Sequence, residues 1–137
     1  MVRSTRPYQL LIADDDLGFR ETLQDVFEPY FVMIVAKSGE EAVEMAESTH
    51  VDIALLDMHM RVLTGLDTLR ILKSLNVTAP CILITADATD ALRKDAEDAE
   101  AYSVLAKPIT KGELVTTVST AIEDAYDDPT LFSSAAE

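Results

Sequence analysis

The stretch IALLD, from Ile53 to Asp57, decides the fold class. Four apolar residues follow one another without alternation and end at a carboxylate. An unbroken apolar run of this length is typical of a strand that helices cover on both faces of a parallel sheet. Asp57 ends this strand, and the carboxyl ends of the strands form the edge at which open α/β sheets bind their ligands. The stretch therefore predicts a buried strand with an acidic group at the ligand-binding edge.

A second stretch, LLIADDD from Leu10 to Asp16, has the same design of an apolar run followed by acid. If both strands are parallel in one sheet, Asp14, Asp15 and Asp57 meet at one edge. Carboxylates about 4–6 Å apart repel one another by several kcal/mol at an effective dielectric constant of about 20. Such a cluster requires raised pKa values or a bound cation. Oxygen ligands of this kind suit Mg²⁺.

Apolar runs bounded by polar, glycine and proline residues predict strands that alternate with helices. The predicted strands are Gln9–Asp14, Phe31–Val35, Ile53–Asp57, Cys81–Thr85 and Ser103–Ala106. The predicted helices are Leu17–Phe27, Ser38–Ser48, Leu66–Leu75, Asp90–Ala99 and Lys111–Tyr126. Asp16 is the expected N-cap of the first helix, and Pro29 ends it. This βα repeat predicts a doubly wound α/β fold with a parallel sheet and right-handed crossovers.

The composition limits the function classes. Of 137 residues, 25 are Asp or Glu and 11 are Lys or Arg, which gives a net charge of −14, whereas a free-standing nucleic-acid binder normally carries the opposite sign. The single cysteine, Cys81, lies in an apolar run and is expected to be a core residue. Neither a signal peptide nor an apolar run of about 18 residues is present, so we expect a cytoplasmic protein without a membrane partner. We expect an arm at residues 1–8, one domain at 9–126 and a tail at 127–137.

The fourth and fifth strands bring Thr85 and Lys107 to the acidic edge. Each has an ordinary explanation by itself, as a β-branched strand residue or a surface charge. Together with the acids they form a complete phosphoryl-transfer site. The acids hold a cation, one carboxylate is a nucleophile, the hydroxyl bonds a phosphoryl oxygen, and the ammonium balances charge.

These residues, in this order and context, resemble the receiver domain of two-component response regulators from about Gln9 to Tyr126. The matches are Asp14-Asp15 with Arg20, Asp57 with Met60 and Gly65, Thr85-Ala86, and Lys107-Pro108. The resemblance implies a CheY-like, flavodoxin-like fold with five helices around a five-stranded sheet of order 2-1-3-4-5. It also implies a regulator that is not an enzyme, apart from its own phosphorylation and dephosphorylation.

The resemblance assigns a role to each matching residue. Asp57 is the expected phosphoacceptor, Thr85 the partner of the phosphoryl oxygen and switch residue, and Lys107 the balancing cation in a cis peptide with Pro108. Mg²⁺ or Mn²⁺ is expected on the carboxylates of Asp14, Asp15 and Asp57 and on the backbone carbonyl of Met58. The expected partners are a sensor histidine kinase or histidine phosphotransfer protein, and a downstream protein bound by helix four, strand five and helix five. A phosphorylation-dependent homodimer is left open, and no direct contact with nucleic acid is expected.

Three positions depart from the family pattern. Arg61 replaces the usual proline, and Glu100 stands near a usual glycine. Val104 replaces the switch aromatic, whose inward rotation accompanies movement of the threonine. Tyr102, two residues earlier on an alternating strand, is expected on the same side as Val104 and is a candidate substitute.

His59 and Asp87, each two residues after a site residue, are expected to control the access of water to the phosphoryl group. Two alternatives remain. A Mg²⁺-dependent aspartyl phosphatase typically has a second acid two residues after its nucleophile, where His59 stands. Val104 and Arg61 leave open a receiver-like domain that binds partners independently of phosphate, although the acid pair, Thr85 and Lys107 argue against it. Nucleotide binding is excluded because acids, rather than a glycine-rich loop, follow the first strand.

Overall fold

A computed structural model describes residues 7–129, in which strands and helices alternate from start to end. The strands are β1 (Gln9–Ala13), β2 (Val32–Ala36), β3 (Ile53–Asp57), β4 (Cys81–Thr85) and β5 (Ser103–Ala106). The helices are α1 (Leu17–Phe27), α2 (Gly39–Ser48), α3 (Gly65–Ser74), α4 (Asp90–Asp98) and α5 (Lys111–Tyr126).

The five strands form one parallel sheet in the order β2-β1-β3-β4-β5. The predicted fold class and strand order are therefore confirmed. Ala13 pairs with Leu56, so the residue after β1 stands beside the end of β3. Asp57 pairs in turn with Ile84, next to the end of β4. The register thus brings the ends of neighbouring strands to one level at the carboxyl edge.

Several predicted bounds are shifted by one residue. β1 ends at Ala13, and β2 begins at Val32 rather than Phe31 and extends to Ala36. α4 ends at Asp98, one residue early. α3 runs from Gly65 to Ser74 instead of 66–75 because Thr64 is its N-cap, in a reciprocal capping box with Asp67.

Each helix begins with a side chain that accepts a hydrogen bond from the helix's third backbone N–H. These N-caps are Asp16, Ser38, Thr64, Thr89 and Thr110. Such caps satisfy N–H groups that have no partner within the helix, and each contributes about 1 kcal/mol. Four of these caps lie two to four residues after the preceding strand, whereas Thr64 lies seven residues after the end of β3. The caps thereby anchor the loops at the carboxyl edge.

The core lies on both faces of the sheet. Leu11, Ala13 and Leu56 point to one cluster, which α2, α3 and α4 cover. Leu10 and Ile12 point to the other, which α1 and α5 cover. All five residues of β3 and of β4 are buried, which explains their unbroken apolar sequences. Over residues 7–129, no helix combines the length and the apolar character that crossing a membrane requires.

The two ends of the described chain meet at the amino edge of the sheet. The rings of Tyr8 and Tyr126 stack with centroids 5.2 Å apart. The Tyr8 hydroxyl donates to Asp128 Oδ2 (2.9 Å), and the Tyr126 hydroxyl donates to the carbonyl of Asp52 (2.6 Å). Packed contacts therefore continue to Tyr8 and Asp128, just beyond the predicted domain bounds of 9 and 126, which stay a prediction. Most of the predicted arm and tail lies outside the described residues.

Among residues 7–129, four residues other than glycine have positive φ, namely Val62, Asn76, Glu100 and Asp127. Glu100, between α4 and β5, has φ 64°, which explains why a glycine suits this position. Val62, between β3 and α3, has φ 65° and is 83% exposed. A β-branched residue is a strong outlier in this conformation, and packing does not compensate its cost.

We expect Val62→Asn to stabilise the protein, since asparagine tolerates positive φ. The left-handed conformation costs about 1–2 kcal/mol for an ordinary residue, so a gain of about 1 kcal/mol in the free energy of unfolding is expected. Urea unfolding measures it. Val32→Asn is the matched control, because Val32 is also exposed but lies in β2, where valine is favoured. A loss of stability in Val62→Asn would contradict the argument.

Candidate functional site

Three carboxylates meet where β1 and β3 end. Asp14 and Asp15 follow β1, and Asp57 is the last residue of the adjacent β3. One oxygen from each lies within 4.8 Å of the others. Asp14 and Asp57 are buried, whereas Asp15 is exposed. The predicted convergence of these acids is thus present in the structure.

The loop after β1 holds Asp14 by its backbone and by one carboxylate oxygen. The Asp16 N–H donates to Asp14 Oδ1 (2.8 Å), and Arg20 Nη1 donates to the Asp14 carbonyl (2.8 Å). Asp16 in turn accepts from the Phe19 N–H (2.9 Å), which confirms it as the N-cap of α1. Asp14 Oδ2 is buried and has no hydrogen-bond partner in the described part of the chain. One oxygen is therefore anchored, while the other is buried without a hydrogen-bond partner.

The surroundings of Asp14 raise the pKa of its carboxyl group to about 6. The largest cause is burial, which removes water from the charged form. The hydrogen bond from Asp16 lowers the pKa, the nearby Asp57 charge raises it, Lys107 lowers it and Asp15 raises it. In the absence of a cation, the ionised cluster is accordingly an unfavourable arrangement.

Lys107 reaches the cluster from the loop after β5. Its Nζ lies 3.3 Å from Asp57 Oδ1, an ion pair that lacks hydrogen-bond geometry. The same Nζ lies 4.2 Å from the centroid of the Phe19 ring, within cation–π range. The Lys107–Pro108 peptide is cis, and the Lys107 N–H donates to the Thr85 carbonyl (2.8 Å). The ammonium is therefore held between an aromatic ring and the carboxylate.

Phe19 lies within the predicted first helix, and no role in the site was predicted for it. It lies in the first turn of α1 and is half-buried, and its ring also contacts Lys107. The only sequence signal for this contact is the aromatic residue in the first turn of α1, because that turn lies at the carboxyl edge of the sheet. Phe19 is thus a site residue that the motif comparison missed.

The backbone of Asp57 explains why position 65 is a glycine. A Cβ at this position would lie 2.5 Å from the carbonyl oxygen of Asp57, which is too close for any side chain. The Gly65 N–H donates to the Met58 carbonyl (3.3 Å), and the Met58 N–H donates to Ile84 (2.7 Å). A carbonyl oxygen has two lone pairs, so the Met58 carbonyl, predicted as a metal ligand, can accept a further partner.

Thr85 and His59 are in direct contact. The buried Thr85 hydroxyl accepts from the Asp87 N–H (3.0 Å) and lies 3.0 Å from His59 Nε2. His59 is exposed, and its predicted control of water access stays a prediction. The Asp87 side chain is also exposed, and its contact with Thr85 is through its backbone. The sequence did not reveal that His59 touches Thr85.

The expectation that Tyr102 and Val104 share one side of the sheet is wrong. Val104 packs with the cluster under α2, α3 and α4, whereas Tyr102 packs with the cluster under α1 and α5. The Tyr102 hydroxyl donates to Asp124 of α5 (2.7 Å). The alternation rule fails because β5 begins at Ser103, so Tyr102 precedes the extended strand.

The donor set fits a hard divalent cation. Three carboxylates offer oxygens that lie within 4.8 Å of one another, and Asp14 Oδ2 and Asp57 Oδ1 are buried without a hydrogen-bond partner among residues 7–129. Lys107 supplies a single positive charge against them. Mg²⁺ is commonly held by one or two carboxylates together with water and phosphate oxygens. The residues present therefore fit this ion.

The comparison with known families accounts for this arrangement. Residues 10–119 match the family model of the response regulator receiver domain. The chain belongs to this family. The receiver domain is 31% identical over 118 residues to the transcriptional regulatory protein PdtaR of Mycobacterium tuberculosis, covering 85% of this chain. It is 33% identical over 108 residues to the transcriptional regulatory protein CpxR of Escherichia coli, covering 78% of this chain.

Solved structures agree with the fold. The receiver domain of the Francisella response regulator 1452 superposes with a TM-score of 0.80 and 25% identity, covering 86% of this chain and 98% of that one. A CheY-like receiver domain protein of Methanospirillum hungatei gives a TM-score of 0.83 at 19% identity, over 87% of this chain and 96% of the other. The chain spans 57% of PdtaR and 46% of CpxR, so the similarity to these regulators concerns their receiver parts.

Because the folded pKa of Asp14 is above its ordinary value of 3.8, the folded protein binds this proton more tightly than the unfolded chain does. Stability from protonated Asp14 is present below pH 3.8 and is lost as the pH rises to about 6. We expect metal-free Asp14→Asn to exceed the parent in unfolding free energy at neutral pH by about 1–3 kcal/mol.

Urea unfolding in chelator at neutral pH and near pH 4 measures this difference. It should shrink at the lower pH, where the parent carboxyl is protonated. Asp15→Asn is the control, because Asp15 belongs to the same cluster but is exposed. An Asp14→Asn variant that is less stable than its parent at neutral pH would show that the Asp14 negative charge does not destabilise the folded protein.

Proposed function

We propose that this receiver domain accepts a phosphoryl group on Asp57 from a phosphohistidine, in a Mg²⁺-dependent reaction, and that phosphorylation changes its binding to a partner protein. The observation that carries the proposal is the convergence of the Asp14, Asp15 and Asp57 carboxylates with the Lys107 ammonium. The donor would be a sensor histidine kinase or a histidine phosphotransfer protein, as expected for two-component signalling.

The chemistry follows from the positions of these groups. An Asp57 oxygen attacks phosphorus, the new O–P bond forms as the N–P bond of the phosphohistidine breaks, and the electron pair stays on the imidazole nitrogen. Lys107 offsets the negative charge that accumulates on the phosphoryl oxygens. Thr85, at the end of β4, supplies a hydroxyl for one of these oxygens.

Asp14, Asp15 and Asp57, together with the Met58 carbonyl, would hold Mg²⁺ or Mn²⁺. When bound, the cation neutralises the carboxylates and the incoming phosphoryl oxygens. Asp16 and Arg20 keep Asp14 in place through its Oδ1 and its carbonyl. The exposed Asp15 leaves one side of the cluster open to solvent and to the donor.

Of the alternatives, the aspartyl phosphatase has less support. The position two residues after Asp57 is His59, which is engaged with Thr85 and supplies no second acid. A phosphate-independent interaction domain is favoured by one observation, Val104 in place of a switch aromatic. The complete acidic cluster favours phosphorylation instead. Output through the face of α4, β5 and α5 is part of the proposal.

The phosphorylation test uses a small phosphodonor with Mg²⁺. We expect intact-mass spectrometry to show one added phosphoryl group on the parent chain and none on Asp57→Asn. Asp98→Asn is the matched control, because Asp98 is an exposed acid of α4 whose partner is Lys94. An unmodified parent would contradict the proposal, as would modification that persists in Asp57→Asn. Rapid turnover without accumulation would favour the phosphatase.

Mg²⁺ binding provides an independent test. We expect Asp14→Asn and Asp15→Asn to weaken Mg²⁺ binding by at least about tenfold, since each removes a carboxylate from the cluster. Titration calorimetry or NMR measures the affinity, and Asp98→Asn should match the parent. Asp14→Asn is therefore expected to raise the unfolding free energy of the metal-free protein and to lower its affinity for Mg²⁺. Unchanged affinity in both cluster variants would place the ion elsewhere.

A further inference from the structure

We propose that His59 is a positioning residue that withholds the hydroxyl proton of Thr85 from the phosphoryl site until Asp57 is modified. This inference rests on the proposed function and adds a restraint to it. The observation that carries it is the 3.0 Å contact between His59 Nε2 and Thr85 Oγ1, two side chains from different loops of the carboxyl edge.

The direction of this hydrogen bond follows from the donors and acceptors of Thr85. A threonine hydroxyl has one proton to donate and two lone pairs. One lone pair already accepts the Asp87 N–H (3.0 Å). Thr85 is completely buried, so its proton requires an acceptor within the protein. His59 Nε2 is the other hydrogen-bonding atom in contact with this hydroxyl among residues 7–129, and we infer that Thr85 donates to it while His59 carries its own proton on Nδ1.

This arrangement competes with phosphorylation. Thr85 has only one hydroxyl proton. The proton that His59 accepts is therefore the same one that would bond a phosphoryl oxygen on Asp57. Thr85 must therefore leave His59 before it bonds the phosphoryl group. The exposed His59 ring is then free to hydrogen-bond with water, so release does not strand a buried polar group. The pair acts as a restraint that favours the unmodified form.

The test compares affinities for beryllofluoride, an analogue of an aspartyl phosphoryl group, in the presence of Mg²⁺. His59→Leu removes the acceptor at similar size, and His59→Gln places a carbonyl oxygen near the position of Nε2. We expect His59→Leu to bind beryllofluoride about two- to tenfold more tightly than the parent, the range that corresponds to losing one ordinary hydrogen bond. His59→Gln should restore the parent affinity.

The Thr85→Val background separates this mechanism from simple access to the pocket. Without the hydroxyl, His59→Leu should no longer change the affinity, because the restrained proton is absent. A gain that persists in this background, or an unchanged or weakened affinity of His59→Leu in the parent, would overturn the inference. A parent chain that does not bind beryllofluoride at all would instead overturn the proposed function, and this inference with it.

A second measurement needs neither metal nor analogue. Nitrogen chemical shifts of the His59 ring, recorded well above the ordinary pKa of imidazole, report which nitrogen carries the proton. We expect the proton on Nδ1 in the parent. In Thr85→Val we expect a shift toward the mixture of the two neutral tautomers that a histidine without this partner shows. A proton on Nε2 in the parent would mean that His59 donates to Thr85, which would overturn the restraint.

Discussion

Repulsion among carboxylates at one edge of a buried sheet is the constraint on which this structure depends. β3 and β4 are buried along their whole length, so their polar side chains stand only at the strand ends. Parallel pairing then brings Asp14, Asp15 and Asp57 together. Burial and the neighbouring Asp57 charge together raise the pKa of Asp14 to about 6. The ionised cluster is therefore unfavourable without a counter-charge, and a bound cation would offset the repulsion.

Most of the fold and the acidic site follow from the sequence because both depend on residue order alone. Unbroken apolar runs mark strands covered on both faces, and residues at the ends of parallel strands share an edge. Contacts that depend on side-chain direction in loops do not follow in this way. The alternation rule placed Tyr102 beside Val104, but Tyr102 precedes β5 and turns toward α5. The Phe19–Lys107 and His59–Thr85 contacts likewise depend on loop paths that no local pattern records.

The site combines fixed and adjustable parts. Asp57 is backed by Gly65, where no Cβ fits, and Asp14 is fixed by Asp16 and Arg20. These contacts are largely to backbone groups, which resist displacement. The backbone of Thr85 is likewise fixed in β4, but its hydroxyl is held only by the Asp87 N–H and the exposed His59. The side-chain group proposed to bond the phosphoryl oxygen therefore has the more adjustable contacts.

Rotation of an aromatic ring on β5 does not connect this site to the face of α4, β5 and α5, which is the proposed output face. Val104 packs on the α4 side, and Tyr102 is tied to Asp124 on the α5 side, so no aromatic residue on that strand is placed to follow Thr85 inward. The remaining physical connection is the backbone, since the Thr85 carbonyl accepts the Lys107 N–H. If phosphorylation of Asp57 drew the Thr85 hydroxyl and the Lys107 ammonium toward the phosphoryl oxygens, this hydrogen bond would couple β4 to the loop that leads into α5.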